Sequence, residues 1–213
     1  MQTSVFANGL CGVKMADMAF VDLQDIAPSI VVDMPYATAD NFTGKIVYPE
    51  NPRALLRKPV AEALAKVQAD LRKDGLSLKI WDAYRPFSIQ EVFWKVMPDS
   101  RYVAEPVRGE NGEMVKGSVH SRGAAVDVTI VDEQGTELEM PTAFDDFSDR
   151  AHRTSPDATP KALANRQLLE DVMSRHGFVG LATEWWHFDF KENAQFPLSD
   201  EPMEGGAERR VVH

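Results

Sequence analysis

Residues 118–131 read SVHSRGAAVDVTIV, and this stretch decides the fold that we expect. Its second half, Ala124 to Val131, is rich in β-branched side chains and predicts a central strand. Gly123 allows the chain to turn just before that strand, so that Asp127 can return towards His120. The small side chains at this turn leave room for a close approach of backbone and ligand. The stretch therefore predicts a functional loop that leads into the middle of a sheet.

Helices and further strands are expected on both sides of this central strand. The apolar spacing and the helix-start signals predict three helices: one after Pro59, one from Ser88 with a capping box at Glu91, and one from Thr159-Pro160 to His176-Gly177. Strand-like runs occupy residues 45–48, 76–84 and 184–190, and a hairpin is expected around Gly109 to Gly112. These elements predict one α+β domain.

Composition narrows the class of protein. The chain has 213 residues, 44% of them hydrophobic, and a formal net charge of −10, which disfavours a nucleic-acid partner. Its one cysteine, Cys11, excludes a disulfide framework and a cysteine-rich zinc finger. No signal-peptide pattern or membrane-length apolar run is visible, so we expect a cytoplasmic protein without a membrane partner. We expect residues 1–19 to form an arm, 20–190 the domain and 191–213 a polar tail; the oligomeric state stays open.

Two of the five histidines have neighbours that suit a metal site. His120 lies seven residues before Asp127, and His187 lies in an aromatic strand beside Trp185 and Trp186. Two imidazoles and one carboxylate leave a zinc ion with a net charge of +1 and an open fourth position, as in catalytic rather than structural sites. Such an ion can lower the pKa of bound water to about 7. The remaining histidines have ordinary explanations in a polar loop, at a helix end and at the end of the chain: His152, His176 and His213.

Two charged residues are candidates for the chemistry. Glu184 suits the base that deprotonates the water, but residues three apart on a strand face opposite sides, so it must lie in a turn before the strand that holds His187. Arg85 stands just before Pro86 and can offer a fixed guanidinium to an oxyanion or a carboxylate. The alternative for Arg85 is a surface ion pair. Taken singly, a histidine or aspartate in a strand is more often structural than functional.

These residues together resemble the zinc D-alanyl-D-alanine dipeptidases of the vancomycin-resistance type. That family shares the Hedgehog-like fold with D,D-carboxypeptidases and murein peptidases. The resemblance covers about residues 20–190 and departs from the family pattern at Met34-Pro35, where the family often has an arginine. It rests on these motifs in order: Tyr36-Ala37-Thr38, Asn41-Phe42-Thr43-Gly44, Asp82-Ala83-Tyr84-Arg85-Pro86, Ser118-x-His120-x-x-Gly123-x-Ala125-x-Asp127, Phe144-Asp145-x-Phe147 and Glu184-Trp185-Trp186-His187-Phe188.

The resemblance implies a fold, a cofactor and a set of roles. It implies a Hedgehog/DD-peptidase-like domain with a mostly antiparallel central sheet, flanking helices and one Zn²⁺ per chain. The implied substrate is the small dipeptide D-Ala-D-Ala, cleaved to two D-alanines for antibiotic resistance or for alanine use. The implied site residues are His120, Asp127 and His187 for zinc, Glu184 as general base, Arg85 for the tetrahedral intermediate, and Ser118, Asp145 (or Asp146) and Tyr36 for the substrate.

Two other functions remain open. A murein D,D- or L,D-carboxypeptidase on the same fold would need an open groove and export. A non-catalytic zinc-binding module would not need both Glu184 and Arg85, and the presence of both favours an enzyme.

Overall fold

The computed structural model describes residues 15–206. Four α-helices lie in this part of the chain: α1 (Leu23–Ile26), α2 (Lys58–Leu71), α3 (Phe87–Val96) and α4 (Pro160–Arg175). The strands in the same part are β1 (Phe20–Asp22), β2 (Val31–Val32), β3 (Leu55–Arg57), β4 (Ser77–Asp82), β5 (Val107–Arg108), β6 (Met114–Lys116), β7 (Ala125–Val131), β8 (Phe178–Gly180) and β9 (His187–Phe190). Short 3₁₀ turns join several of them, including Pro35–Ala37, His120–Arg122 and Asp149–Ala151.

A five-stranded sheet in the order β2-β4-β7-β9-β8 forms the centre of the molecule. Only β2 and β4 pair in parallel; the other neighbours are antiparallel. All seven residues of β7 are buried, as expected for a strand with neighbours on both edges and side chains covered on both faces. The predicted α+β domain with a mostly antiparallel sheet is confirmed.

Helix α2 packs its apolar face into the core, as its spacing predicts. Val60, Leu64 and Val67 are fully buried, and Leu71 nearly so. The third predicted helix is also present as α4, whose first turn is capped by Thr159: its hydroxyl accepts the Ala162 N–H at 3.1 Å. The hairpin predicted around Gly109 to Gly112 is formed by β5 and β6.

Three local predictions are wrong. Residues 45–48 form no strand, because the Asn41 amide donates to the carbonyls of Thr38 and Lys45 and holds this segment in a series of bends. The capping box at Ser88 is absent: α3 begins at Phe87, and the Asp200 carboxylate accepts the Ser88 N–H at 2.7 Å.

The last predicted strand, 184–190, begins only at His187. Residues before it turn sharply, and the Glu184 N–H is bonded back to the Leu181 carbonyl.

The described part of the segment after Lys191 packs on the domain rather than forming a tail. Phe196 is fully buried, and the Ser199 N–H donates to the Ser121 carbonyl at 2.8 Å. The Tyr84 hydroxyl donates to the Glu201 carbonyl at 2.9 Å. Cys11 and His213 lie outside the described residues. Within 15–206, no helix combines the length and the apolar character that crossing a membrane requires.

Candidate active site

Three acidic or imidazole side chains line up across the central sheet. Asp127 on β7 pairs directly with Asp82 on β4 and with His187 on β9. Directly paired residues project to the same face of a sheet, so these three side chains are neighbours. A shift of register between Ile80 and Asp82 brings Asp82 opposite Asp127.

His120 reaches this row from the turn that precedes β7. The turn ends at Gly123, whose φ of 67° is left-handed, and a Cβ there would lie 2.3 Å from the Phe20 ring. Both the left-handed φ and the closeness of the Phe20 ring therefore require a glycine at position 123. The turn places His120 Nε2 at 3.2 Å from His187 Nδ1 and at 3.4 Å from Asp127 Oδ2.

The outward nitrogen of each imidazole is already engaged. His120 Nδ1 donates to the Ala83 carbonyl at 2.7 Å, and His187 Nε2 donates to Asp189 Oδ1 at 2.9 Å. The other nitrogens, His120 Nε2 and His187 Nδ1, therefore face each other and Asp127, and they are the candidate ligand atoms. The three ligand atoms lie within 4.8 Å of one another, and all three residues are buried. This donor set fits a divalent cation. The hydrogen bonds to Ala83 and Asp189 fix the orientation of both imidazole rings, as the partners of metal-binding histidines usually do.

The electrostatics favour positive charge at the same point. Burial tends to lower the pKa of His187, but its hydrogen bonds to Asp127 and Asp189 raise this pKa to about 10. Burial likewise tends to raise the pKa of Asp127, yet the charges and hydrogen bonds of His120 and His187 hold it well below its usual range. A site that stabilises a proton on His187 and a bare carboxylate on Asp127 also suits a metal cation.

Glu184 lies in the turn before β9, as the candidate base requires. Glu184 is 5% exposed, and it lines the same cavity as His120, Asp127 and His187. Burial raises the pKa of the Glu184 carboxyl to about 8. This shift brings the carboxyl into the range in which it can accept and return a proton near neutral pH.

Arg85 is buried in the site, which excludes the surface ion pair. Its Nε and Nη2 donate to Asp82 Oδ2 at 2.9 and 2.6 Å, and its Nη1 donates to Gln90 Oε1 at 2.8 Å. The guanidinium also lies 4.4 Å from the centre of the Phe93 ring and 3.7 Å from Asp127 Oδ2. The bonds to Asp82 and Gln90 use three of its five N–H groups and fix the orientation of the guanidinium.

Tyr36, Asp145 and Ser118 line the same cavity. The Tyr36 hydroxyl donates to the Asp145 carboxylate at 3.0 Å, and burial together with the Asp127 charge raises the pKa of Asp145 to about 8. Asp146 does not line the cavity; its carboxylate accepts the Ser148 N–H instead. The structure thus places Asp145, rather than Asp146, in the site.

The cavity itself is small. Its volume is about 190 Å³, below the roughly 300–1,000 Å³ of most ligand pockets. Loop residues 100–104 and the turn before β9 border it, and the Thr183 hydroxyl joins the two by donating to the Arg101 carbonyl at 2.9 Å.

Sequence reasoning missed three residues of the site. Asp189, two positions after His187 on the same strand face, was detectable from that spacing. Gln90, which binds Arg85, and Arg153, which binds the turn before β9, left no signal in the sequence. Gln90 is only five residues from Arg85, but a single glutamine does not identify its partner. The partners of Arg153 are far away along the chain and include backbone carbonyls, which have no residue-type signature.

Comparisons with known proteins identify the family of this chain. The family model described as D-ala-D-ala dipeptidase, Peptidase_M15, matches residues 16–204. The D-alanyl-D-alanine dipeptidase of Escherichia coli (strain K12) is 42% identical over 178 residues, covering 84% of this chain and 88% of that protein. The enzyme of the same name from Enterococcus faecalis is 34% identical, covering 79% and 90%. A solved structure of the vancomycin resistance D,D-pentapeptidase VanY superposes with a TM-score of 0.39 at 16% identity, covering 66% of this chain and 75% of that one.

Proposed function

This chain belongs to the D-ala-D-ala dipeptidase family Peptidase_M15, and we propose that it hydrolyses the dipeptide D-Ala-D-Ala to two molecules of D-alanine. The observation that carries the proposal is the meeting of His120, Asp127 and His187 in one small cavity with Glu184 and Arg85. Relatives that carry the D-alanyl-D-alanine dipeptidase name cover most of the chain.

We propose that His120 Nε2, Asp127 and His187 Nδ1 hold one Zn²⁺. When bound, zinc acidifies water and polarises the carbonyl of the bond to be cleaved. The hydrogen bonds from His120 to Ala83 and from His187 to Asp189 fix the imidazole rings in the orientation that the ion needs.

Glu184 is the proposed general base and acid. It takes a proton from the attacking water and returns it to the nitrogen of the leaving D-alanine, which departs as an amine. Its buried position, with a pKa raised to about 8, supports both proton transfers at neutral pH.

Arg85 is the proposed stabiliser of the negative charge that develops on the carbonyl oxygen. Asp82 and Gln90 hold three of its N–H groups, so the guanidinium does not have to reorganise when this charge forms. Donors that are fixed in advance contribute most to this kind of stabilisation.

Asp145, supported by Tyr36 and Ser118, is the proposed site for the free ammonium group of the dipeptide. The ammonium would compensate a carboxylate that is otherwise costly to bury. In a longer peptide the corresponding nitrogen is an uncharged amide, which leaves this carboxylate unpaired. A small cavity and an ammonium site together favour a dipeptidase over a murein carboxypeptidase.

The decisive experiment compares steady-state rates of the purified chain on three substrates. We expect turnover of D-Ala-D-Ala and much weaker turnover of both L-Ala-L-Ala and a D,D-pentapeptide. A preference for the pentapeptide would contradict the proposal in favour of a carboxypeptidase, and inactivity on all three would favour a metal-binding module.

A pair of variants tests the ammonium site. Asp145→Asn should raise the KM for D-Ala-D-Ala by about tenfold or more, because a charge-assisted contact is lost. Asp146→Asn, its neighbour outside the cavity, should leave the KM unchanged.

We propose that the protein acts in the cytoplasm and that its partner is the small dipeptide substrate. The net charge of −10 disfavours a nucleic-acid partner.

A further inference from the structure

Arg153 lies outside the cavity and binds the turn that carries two site residues. Its Nε donates to the Leu181 carbonyl at 3.0 Å, and its Nη2 donates to the carbonyls of Glu184 at 3.1 Å and His187 at 2.7 Å. Its own N–H donates to the Ala182 carbonyl at 3.0 Å. One side chain therefore spans the turn from its first residue to the first residue of β9.

The guanidinium has a fixed orientation of its own. Its Nη1 is bonded to Glu170 on α4, and its central carbon lies 4.2 Å from the centre of the Phe188 ring. Glu170 balances the charge of Arg153, and the ring restricts its rotation. The side chain is consequently a rigid connection between α4 and the turn.

Gly180 provides the space for this connection. A Cβ at position 180 would lie 2.0 Å from the guanidinium carbon of Arg153. Because that guanidinium is held by its carbonyl bonds, by Glu170 and by the Phe188 ring, it cannot move aside without losing the carbonyl bonds. A glycine at position 180 is therefore needed for Arg153 to bind the turn in this way.

We propose that Arg153 is the positioning residue that holds Glu184 and His187 in place by fixing the backbone of residues 181–187. The proposal rests on the proposed function for the roles of these two residues. Arg153 touches neither the cavity nor a reacting group. It acts through the backbone. Two hydrogen bonds join residues of the turn to each other, from Leu181 N–H to the His187 carbonyl at 3.2 Å and from Glu184 N–H to the Leu181 carbonyl at 3.4 Å, and Arg153 adds three more. These bonds keep Glu184 aligned with the proposed metal ligands.

The first test does not depend on catalysis. Hydrogen–deuterium exchange of metal-free Arg153→Lys protein should show faster exchange for the amides of 181–187, by about tenfold, with α2 unchanged. A lysine ammonium is a point charge and cannot bridge three carbonyls as the planar guanidinium does. Zinc affinity, measured by competition with a chromophoric chelator, should fall by about tenfold because His187 is less well placed.

The matched control is Arg166→Lys. Arg166 also donates to two backbone carbonyls, those of His152 and Ser155, but to none in 181–187. In the Arg166→Lys variant, the hydrogen–deuterium exchange of residues 181–187 and the zinc affinity should match those of the unmodified chain.

The second test separates positioning from binding. Arg153→Lys should lower the kcat for D-Ala-D-Ala by about 10- to 100-fold while its KM stays within about threefold, since Asp145 and Tyr36 are untouched. Arg153→Ala with added guanidinium ion should recover part of this kcat. Should Arg153→Ala not fold, Arg153→Lys alone carries the test.

Unchanged exchange in 181–187 for Arg153→Lys, or a kcat equal to that of Arg166→Lys, would overturn the proposal. If the unmodified chain does not cleave D-Ala-D-Ala, the proposed function fails, and the exchange and zinc-affinity measurements still decide the role of Arg153.

Discussion

Glu184 owes its place to a turn rather than to the strand that follows it. Because β9 starts only at His187, Glu184 and His187 are released from strand alternation and both face one cavity. We expect Glu184→Gln to keep the shape of the site and to lower kcat by about 10²- to 10⁴-fold, since a glutamine cannot accept the proton. Metal content, measured by plasma emission, should match that of the unmodified chain. Undiminished hydrolysis would show that another group is the base.

The Arg85–Asp82 pair is a second residue-scale feature, because both partners are buried. We expect Asp82→Ala to lower the free energy of unfolding by about 3 kcal/mol, since it leaves a guanidinium buried without its counter-charge. Urea denaturation checks this. The exposed pair of Arg101 and Asp99 is the control: Asp99→Ala should change little, because water screens that pair. Equal effects in the two variants would contradict this view of the site.

Residue types and motif spacing are enough to indicate the central side chains of the site. His120, Asp127, His187 and Glu184 each have a chemistry that few residues share, and the fold brings them together. Arg153 could not be found in this way, because it donates hydrogen bonds to backbone carbonyls, which every residue has.

At the scale of elements, the regular helices, the central strand and the short hairpin of β5 and β6 were predictable, and the segment 45–48 and the start of β9 were not. Helix α2 has apolar residues at helical spacing, and β7 is rich in the β-branched side chains that favour a strand. Residues 45–48 have strand-forming side chains, yet the Asn41 amide and the Thr43 hydroxyl both donate to the Lys45 carbonyl, and the N–H groups of Val47 and Tyr48 donate to the Tyr36 carbonyl. These hydrogen bonds hold the segment outside the sheet, and the pattern of apolar residues does not show them.

The ends of α2 and α4 are joined through Asp70. Its carboxylate accepts from Lys73 at 2.5 Å and from His176 at 2.8 Å, and these bonds lower its pKa from 3.8 to about 2. A lowered pKa in the folded state stabilises the fold above pH 4, and this contribution is lost as the pH falls towards 2.

Asp70→Asn should therefore lower the Tm at pH 6, with a smaller difference from the unmodified chain at pH 2. Asp74→Asn, at an exposed position in the following turn, is the control and should not alter the Tm at either pH. Thermal scans at the two pH values measure both variants. A difference for Asp70→Asn that is as large at pH 2 as at pH 6 would contradict the assignment.

For the whole molecule, metal binding and folding should be coupled. The proposed ligands come from the turn before β7, from β7 and from β9, so an ion joins parts of the chain that are distant in sequence. Zinc at 100 times its Kd should add about 2.7 kcal/mol to the stability.

His120→Ala should lose most of its bound zinc and should no longer be stabilised by added zinc in thermal scans. His152→Ala, in a loop outside the cavity, should behave like the unmodified chain. Zinc content equal in the two variants, measured by plasma emission, would exclude His120 as a ligand.

The most direct measurement is anomalous diffraction at the zinc absorption edge, from crystals of the full chain grown with zinc. We expect one strong peak within about 2.0–2.2 Å of His120 Nε2, His187 Nδ1 and an Asp127 oxygen. We also expect that no other protein atom occupies the fourth position. A peak elsewhere, or a fourth ligand from the protein that closes the site, would contradict the proposal that these three side chains serve a hydrolase.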